Sequence, residues 1–320
     1  MRAIDPVSVR PVPGTELHAS SIGLRIEPRA PGTPLSGRRS VALLANARSR
    51  GITTLDLGEG AGSFRVERWV REAFPSSDPD LLILVHRSLD VLAEEAAHDR
   101  SAPSNGDLEA RLRHSLGRSA ERLRPHPIGV LLWQPSADAE DPAAEMGPVM
   151  ERLKAEGAFA SWGLSIASVG TRSGTGIPVG PVPALLSGAL SPLDPSLLPS
   201  LAERGSHDPF GFFVQDPMGG GRLDGTRFAG SLADRRPDAR PVNVRELRRE
   251  FSPVLRLGFL TEGKHRTLAQ ASLGFALRWP WVCSALVPLP SPERLEELIR
   301  AESTPPLSDA EVDRILALTH

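Results

Sequence analysis

The chain has 320 residues, 40% of them apolar, and a formal net charge of −2. That length suits one large α/β barrel or two ordinary domains, and the charge balance supplies no general attraction to nucleic acid or anionic lipid. One cysteine, Cys283, excludes a disulfide framework and a cysteine-rich metal or iron–sulfur site. No apolar run reaches the ~18 residues of a membrane span, and the N-terminus lacks the apolar core of a signal peptide. These features imply a soluble, cytoplasmic protein.

Residues 1–17 are polar and proline-rich and are expected to be a flexible segment ahead of a single domain over 18–320. "HASSIGLRIEP" has the pattern of a first strand. "SGRRSVALLANARSRG" (36–51) predicts a helix, with Ser36 as N-cap and Gly51 just past its end. "ITTLDLG" is the next strand, and "FRVERWVREAF" (64–74) has the spacing of an amphipathic helix. "LLILVHR" (81–87) is an apolar strand ending at His86. Helix 107–123 leads to strand "IGVLLW" (128–133), and helix 143–156 to strand "SWGLSI" (161–166). A turn-rich stretch over 167–181 precedes "VPALLSG". Helix 195–204 leads to strand "FGFFVQD" (210–216). After a polar loop come helix 267–278, strand "VCSALVP" (282–288), helix 292–302 and a terminal helix in "SDAEVDRILALTH".

Seven or eight strands alternate with helices, and most are apolar throughout. Such strands are buried on both faces, which requires a parallel sheet. The repeat predicts a (β/α)8 TIM barrel with its chemistry at the C-terminal strand ends. A doubly wound open sheet fits less well, because no GxGxxG turn follows an early strand. "GGGRLDG" (219–225) lies late, after the seventh strand.

Five stretches, taken in order, resemble the aldo-keto reductase superfamily. "RGITTLDLGEGAG" is similar to that family's "GI..iDTA..YG", and "SLGRSAERL" to its "SL.RL" helix. "LKAEGAFASWGLS" resembles "LK..GK.R.iGvS", and "VQDPMGGGRLDG" resembles "..sPL..G.LtG". "LAQASLGFALRWP" followed by "SPERLEEL" is similar to the family's ending. The resemblance implies a barrel that reduces carbonyls with NADPH, using an Asp, Tyr, Lys and His tetrad in which the tyrosine protonates the carbonyl oxygen. Carried over residue by residue, the aspartate falls on Asp56. The tyrosine falls on Ala61, the lysine on His86 (Arg87 if the strand shifts by one), and the histidine on Trp133. The chain contains no tyrosine at all, and its two lysines, Lys154 and Lys264, lie on or beside helices.

The cofactor positions implied by the resemblance are changed as well. Ser165 is kept, but the Asn that should follow it is Ile166, and a Gln falls near Ser187. The nicotinamide platform has no clear equivalent near Gln215–Met218. The phosphate-binding stretch reads "VPLPSPERLEEL", in which Pro288, Pro290 and Pro292 lack backbone donors. Ser291 and Arg294 remain to meet a phosphate, and Arg294 reads equally well as a solvated helix residue. The expected cofactor is therefore none, or NADP bound weakly.

Asp56 and His86 are the candidate catalytic residues, because a carboxylate that orients and charges an imidazole is a recurring acid/base arrangement. The plain alternatives are a structural carboxylate and a histidine filling a vacated slot. Glu59, Trp133 and Asp216 are candidates for substrate binding at the rim. Against this, loop carboxylates are commonly just solvated, and a tryptophan more often packs than binds. No His, Cys and Asp spacing suggests a metal site. The sequence thus points to a barrel with degenerate catalytic and NADPH sites. Such a protein is a pseudoenzyme that binds a small molecule or a protein partner. Two alternatives stand beside it: a non-redox lyase, isomerase or cyclase using Asp56 and His86, and an atypical NADP-dependent oxidoreductase.

Overall fold

Runs such as "LLILVHR" have no polar face to offer water, and in the computed structural model they close on one another. The structure describes residues 6–26, 37–58, 63–99, 101–103, 107–136, 139–166, 183–227 and 244–318. A short hairpin, β1 (Val9–Pro11) and β2 (His18–Ser20), precedes eight parallel strands. These are β3 (Ile22–Arg25), β4 (Thr54–Asp56), β5 (Leu82–Arg87), β6 (Val130–Trp133), β7 (Ser161–Ser165), β8 (Leu185–Ala189), β9 (Gly211–Gln215) and β10 (Val282–Pro288). They form a closed barrel in chain order, with β10 returning to pair with β3. The fold is the (β/α)8 barrel that the alternation predicts.

The helices around the barrel are α1 (Gly37–Ser49), α2 (Ser63–Ala73), α3 (Leu89–His98), α4 (Leu108–Leu123), α5 (Pro142–Ala155), α6 (Leu198–His207), α7 (Val244–Arg256), α8 (Leu268–Leu277), α9 (Pro292–Ile299) and α10 (Asp309–Ala317). Two of them escape the sequence pattern. Helix α3 follows β5 with no turn between them, and only its N-cap, Ser88, which accepts from Val91 N, marks its start. Helix α7 falls in the stretch read as polar loop. It is rich in Arg and Glu, and although Leu247, Phe251 and Val254 recur at helical spacing, each is only part-buried, so the stretch has the composition of a polar loop. The turn-rich stretch 167–181 lies outside the described residues.

Residue parity along each strand separates two cores. Leu82, Leu84, Val130, Leu132, Leu185 and Phe213 meet inside the barrel. The alternate residues Ile83, Val85, Leu131, Trp133, Leu164 and Val214 face the helices. The interior opens at both ends of the strands, and the N-terminal end needs a cover. The β1–β2 hairpin supplies it, for Val12 and Ala19 pack with Leu82 and Phe213. Arg10 ties the hairpin down by donating to the carbonyls of Val282 and Leu277, both at 2.9 Å. Residues 7–17, which the sequence reading places in a flexible segment, are packed against the barrel in this way. Proline and polar residues there sit on the outer side of a plug whose apolar residues seal the barrel floor.

Candidate functional site at the barrel mouth

On six of the eight strands the inward residue nearest the C-terminal end is polar, unlike those beneath it. Arg25, Asp56, His86, Ser165, Ser187 and Gln215 come from six different strands. Asp56 lies opposite Arg25 in the β3–β4 register, and His86 stands on the next strand. His86 Nε2 approaches Asp56 Oδ1 at 2.9 Å, and the two side chains are 1% and 0% exposed. The contact is bent away from ideal hydrogen-bond geometry. Arg25 Nη1 lies 3.7 Å from Asp56 Oδ2. Asp56 Oδ1 also accepts from Gly58 N at 2.8 Å. Gly58 reaches that position with φ 71°, in the left-handed region that suits glycine.

These partners decide the ionisation of Asp56. Burial by itself would raise its pKa, but the charges of His86 and Arg25, with the Gly58 amide, outweigh burial and hold it at about 2. Asp56 is thus a fixed anion at neutral pH. His86 Nε2 is the ring nitrogen nearest the carboxylate, and Nδ1 lies on the other side of the ring.

The opposite half of the mouth is closed on itself. Gln215 Nε2 donates to Ser187 Oγ at 3.1 Å and, more weakly, to Ser165 Oγ at 3.4 Å. Ile166 is buried beside Gly188, where a Cβ would come within 2.8 Å of its Cγ1.

Outside the ring, a cleft of about 360 Å³ lies between the β9 and β10 loops, lined by Met218, Asp224, Pro288, Pro290, Ser291 and Arg294. Both of its polar candidates are engaged within the chain. Ser291 caps α9, accepting from Arg294 N at 3.4 Å, and its hydroxyl donates to Glu293 at 2.8 Å. Arg294 pairs with Glu297 at 2.5 Å and donates to the carbonyl of Asp224.

The structure brings together Asp56 and His86 but not the residues proposed to bind substrate. Trp133 is the clearest correction. In β6 the inward residue beside His86 is Leu132, so the pleat turns Trp133 toward the helices, where it is 3% exposed among core residues. It forms no wall of the mouth. Asp216 is on the rim but exposed, with φ 49°, and both its carboxylate oxygens accept from Gly220 N at 2.7 and 2.8 Å. It closes the glycine turn. Glu59 and Ala61 lie outside the described residues. The one-residue alternative for the third strand is also resolved, since Arg87 points outward. There it is fully buried and donates to Ser115 Oγ at 2.6 Å and to the His86 carbonyl at 2.8 Å.

Sequence reasoning passed over Arg25 and Gln215. Arg25 had a signal, since in "IGLR" it shares parity with Gly23 and pairs with Asp56. Gln215 had only its place at a strand end. Among the described residues, no group of three or more His, Cys, Asp or Glu side chains is arranged to hold a metal ion. No helix among them is long and apolar enough to cross a membrane.

An eight-stranded parallel barrel with a carboxylate at the end of its second barrel strand defines the class, and the family model agrees. The chain belongs to the aldo/keto reductase family, whose model matches residues 27–319. Solved structures share the fold at low identity. A thermostable aldo-keto reductase, Tm1743, solved with the inhibitor epalrestat, is 17% identical with a TM-score of 0.68, covering 97% of this chain and 99% of that one. The holo form of aldo-keto reductase AKR11C1 from Bacillus halodurans is also 17% identical, with a TM-score of 0.66 and coverage of 98% and 96%. An aldo/keto reductase from Klebsiella pneumoniae in complex with NADP and acetate is 17% identical, with a TM-score of 0.64 and coverage of 94% and 92%. No curated protein sequence matches the chain.

Proposed function

We propose that this member of the family has left nicotinamide-dependent carbonyl reduction, and that its barrel mouth binds a small carbonyl compound on which the Asp56–His86 pair moves protons. The observation that carries this reading is the 2.9 Å approach of His86 Nε2 to Asp56, at the catalytic end of adjacent strands. Asp56 holds the ring and stabilises its cation. His86 takes a proton from carbon beside the carbonyl and returns it at the same or another atom, which is the elementary step of an isomerisation, elimination or cyclisation. Arg25, 15% exposed above the pair, stabilises negative charge that develops on substrate oxygen.

The residues at the expected cofactor positions do not fit NADP well. A chain without tyrosine lacks the family's proton donor at every offset. Gln215 satisfies Ser165 and Ser187 with its own carboxamide, and Ser291 and Arg294 are taken up in capping and pairing α9. We therefore place NADP binding as weak or absent. The reading of an atypical NADP-dependent oxidoreductase rests on the bound NADP of the Klebsiella pneumoniae relative.

The test is cofactor-free exchange. Ketones and aldehydes of graded size are incubated with the protein in deuterium oxide, and loss of the proton beside the carbonyl is followed by NMR. The expected result is exchange above background that is abolished in His86→Ala and reduced in Asp56→Asn. Ligand binding without exchange in the wild type would leave the protein a small-molecule or partner-binding pseudoenzyme.

A further inference from the structure

The pleat that brings His86 into the mouth sends the next side chain, Arg87, out of the barrel. The carbonyls of β5 alternate between its two neighbours, as in any parallel ladder. Those of Ile83 and Arg87 accept on the β6 side, from Gly129 N and Gln134 N, and that of Leu84 accepts from Leu57 N on the β4 side. The His86 carbonyl falls on the β4 side as well, past Asp56, where β4 ends. Among the described residues its donor is Arg87 Nη1, at 2.8 Å. The guanidinium thus turns back onto the peptide that carries His86.

The other nitrogens of Arg87 are held from the helices. Nε donates to Ser115 Oγ at 2.6 Å and lies 3.4 Å from Glu95 Oε1 on α3. Nη2 donates to Ser119 Oγ, one turn further along α4, and that hydroxyl donates to Glu67 on α2 at 2.5 Å. Arg87, Glu67, Ser115 and Ser119 are all buried. Burying ions in this way is a poor route to stability, since packed apolar residues of similar volume often do as well. What the planar guanidinium supplies is direction, because its donors leave it at fixed angles. The group so directed is the carbonyl of the residue whose ring approaches Asp56 at 2.9 Å.

We propose that Arg87 is a positioning residue for His86. Its guanidinium, aimed by Ser115 and Ser119, fixes the last peptide of β5 and so the point from which the imidazole reaches Asp56. The effect on rate rests on the acid/base reading of the mouth, where a displacement of about 1 Å can cost about a hundredfold. The placement of the ring does not depend on that reading.

Two sets of substitutions in the full chain test this. Arg87→Lys keeps the charge but not the fork of donors, and Ser115→Ala combined with Ser119→Ala keeps the fork but not its aim. The His86 ring-proton signal, identified by its loss in His86→Ala, is compared with the wild type by NMR. Leu201→Ala, at a fully buried position on α6 across the barrel, controls for lost stability alone. The His86 signal should move in Arg87→Lys and in the serine pair and stay in place in Leu201→Ala. Deuterium exchange beside the substrate carbonyl should fall at least about tenfold in kcat, with KM within about twofold. A His86 signal that stays in place in both sets, or moves as far in Leu201→Ala, overturns the proposal, as does exchange lowered through KM alone. Absence of exchange in the wild type would remove the acid/base reading, and the ring signal would still decide whether Arg87 places His86.

Discussion

His86 Nε2 lies 2.9 Å from Asp56 Oδ1, with both side chains sealed from solvent at the catalytic end of the barrel. Taking one partner of such a pair away leaves the other buried and charged, so the pair is consequential for stability whatever its chemistry. Arg25 makes the arrangement a cation–anion–imidazole row in which the anion is fixed.

The first prediction concerns acid stability. The Asp56 pKa is about 2 in the fold and about 3.9 in an unfolded chain. A depressed carboxyl contributes stability that is complete above the unfolded pKa and is lost as pH falls through the folded one. The contribution is roughly 2–3 kcal/mol, lost between about pH 4 and pH 2. Urea denaturation across this window should show that loss in the wild type and a flatter limb in Asp56→Asn. Identical slopes would show that Asp56 titrates normally in the fold.

A second prediction concerns the cofactor. Each hydrogen bond lost to a charged group removes roughly 1.5–3 kcal/mol, so three missing contacts at Ile166, Ser187 and the Pro288–Leu298 stretch weaken NADPH by orders of magnitude. Fluorescence or calorimetric titration should give a dissociation constant well above the micromolar range. Low-micromolar binding would lift the reductase reading over the acid/base one.

The buried network behind β5 gives a third. Arg87 is fully buried, lies 3.4 Å from Glu95 and 3.9 Å from Glu67, and bonds Ser115 and the His86 carbonyl. Arg87→Met should destabilise the fold by about 3–5 kcal/mol, because Glu95 loses its buried counter-charge and Glu67 keeps only that of Arg122. Chemical denaturation measures it, and a cost below about 1 kcal/mol would mean that water or rearrangement replaces the guanidinium.

Cys283 supplies a fourth. Burial pushes its thiol pKa up to about 12, and its side chain packs inside the barrel floor with Val12 and Phe213. Little thiolate exists at neutral pH, and reagent has no path to it. Labelling with a maleimide or disulfide reagent should therefore be slow in the folded protein and prompt in urea. Fast labelling in native buffer would show that the β1–β2 plug opens.

Much of the barrel was legible because its physics is local. Apolar runs such as "LLILVHR" and "IGVLLW" state that both faces are buried. Asp56 and His86 were legible because a polar residue ending an apolar strand has few other reasons to be there. Helix α7 was hidden because its few apolar residues, Leu247, Phe251 and Val254, are outnumbered by the Arg and Glu between them, and the β1–β2 plug because it is explained only by the hole it fills.

What the sequence by itself determined was the alternation of strands and helices, the chemical types available at the strand ends, and the lack of any tyrosine. What only the tertiary structure decided was direction. Moving one residue along a strand turns a side chain through the sheet, so Trp133 faces the helices while Leu132 faces the mouth, and His86 enters the site while Arg87 leaves it. Pairing across strands was decided there too. Arg25 beside Asp56, and Gln215 between Ser165 and Ser187, join residues dozens of positions apart, and closure of the barrel is what brings their side chains within a few ångströms.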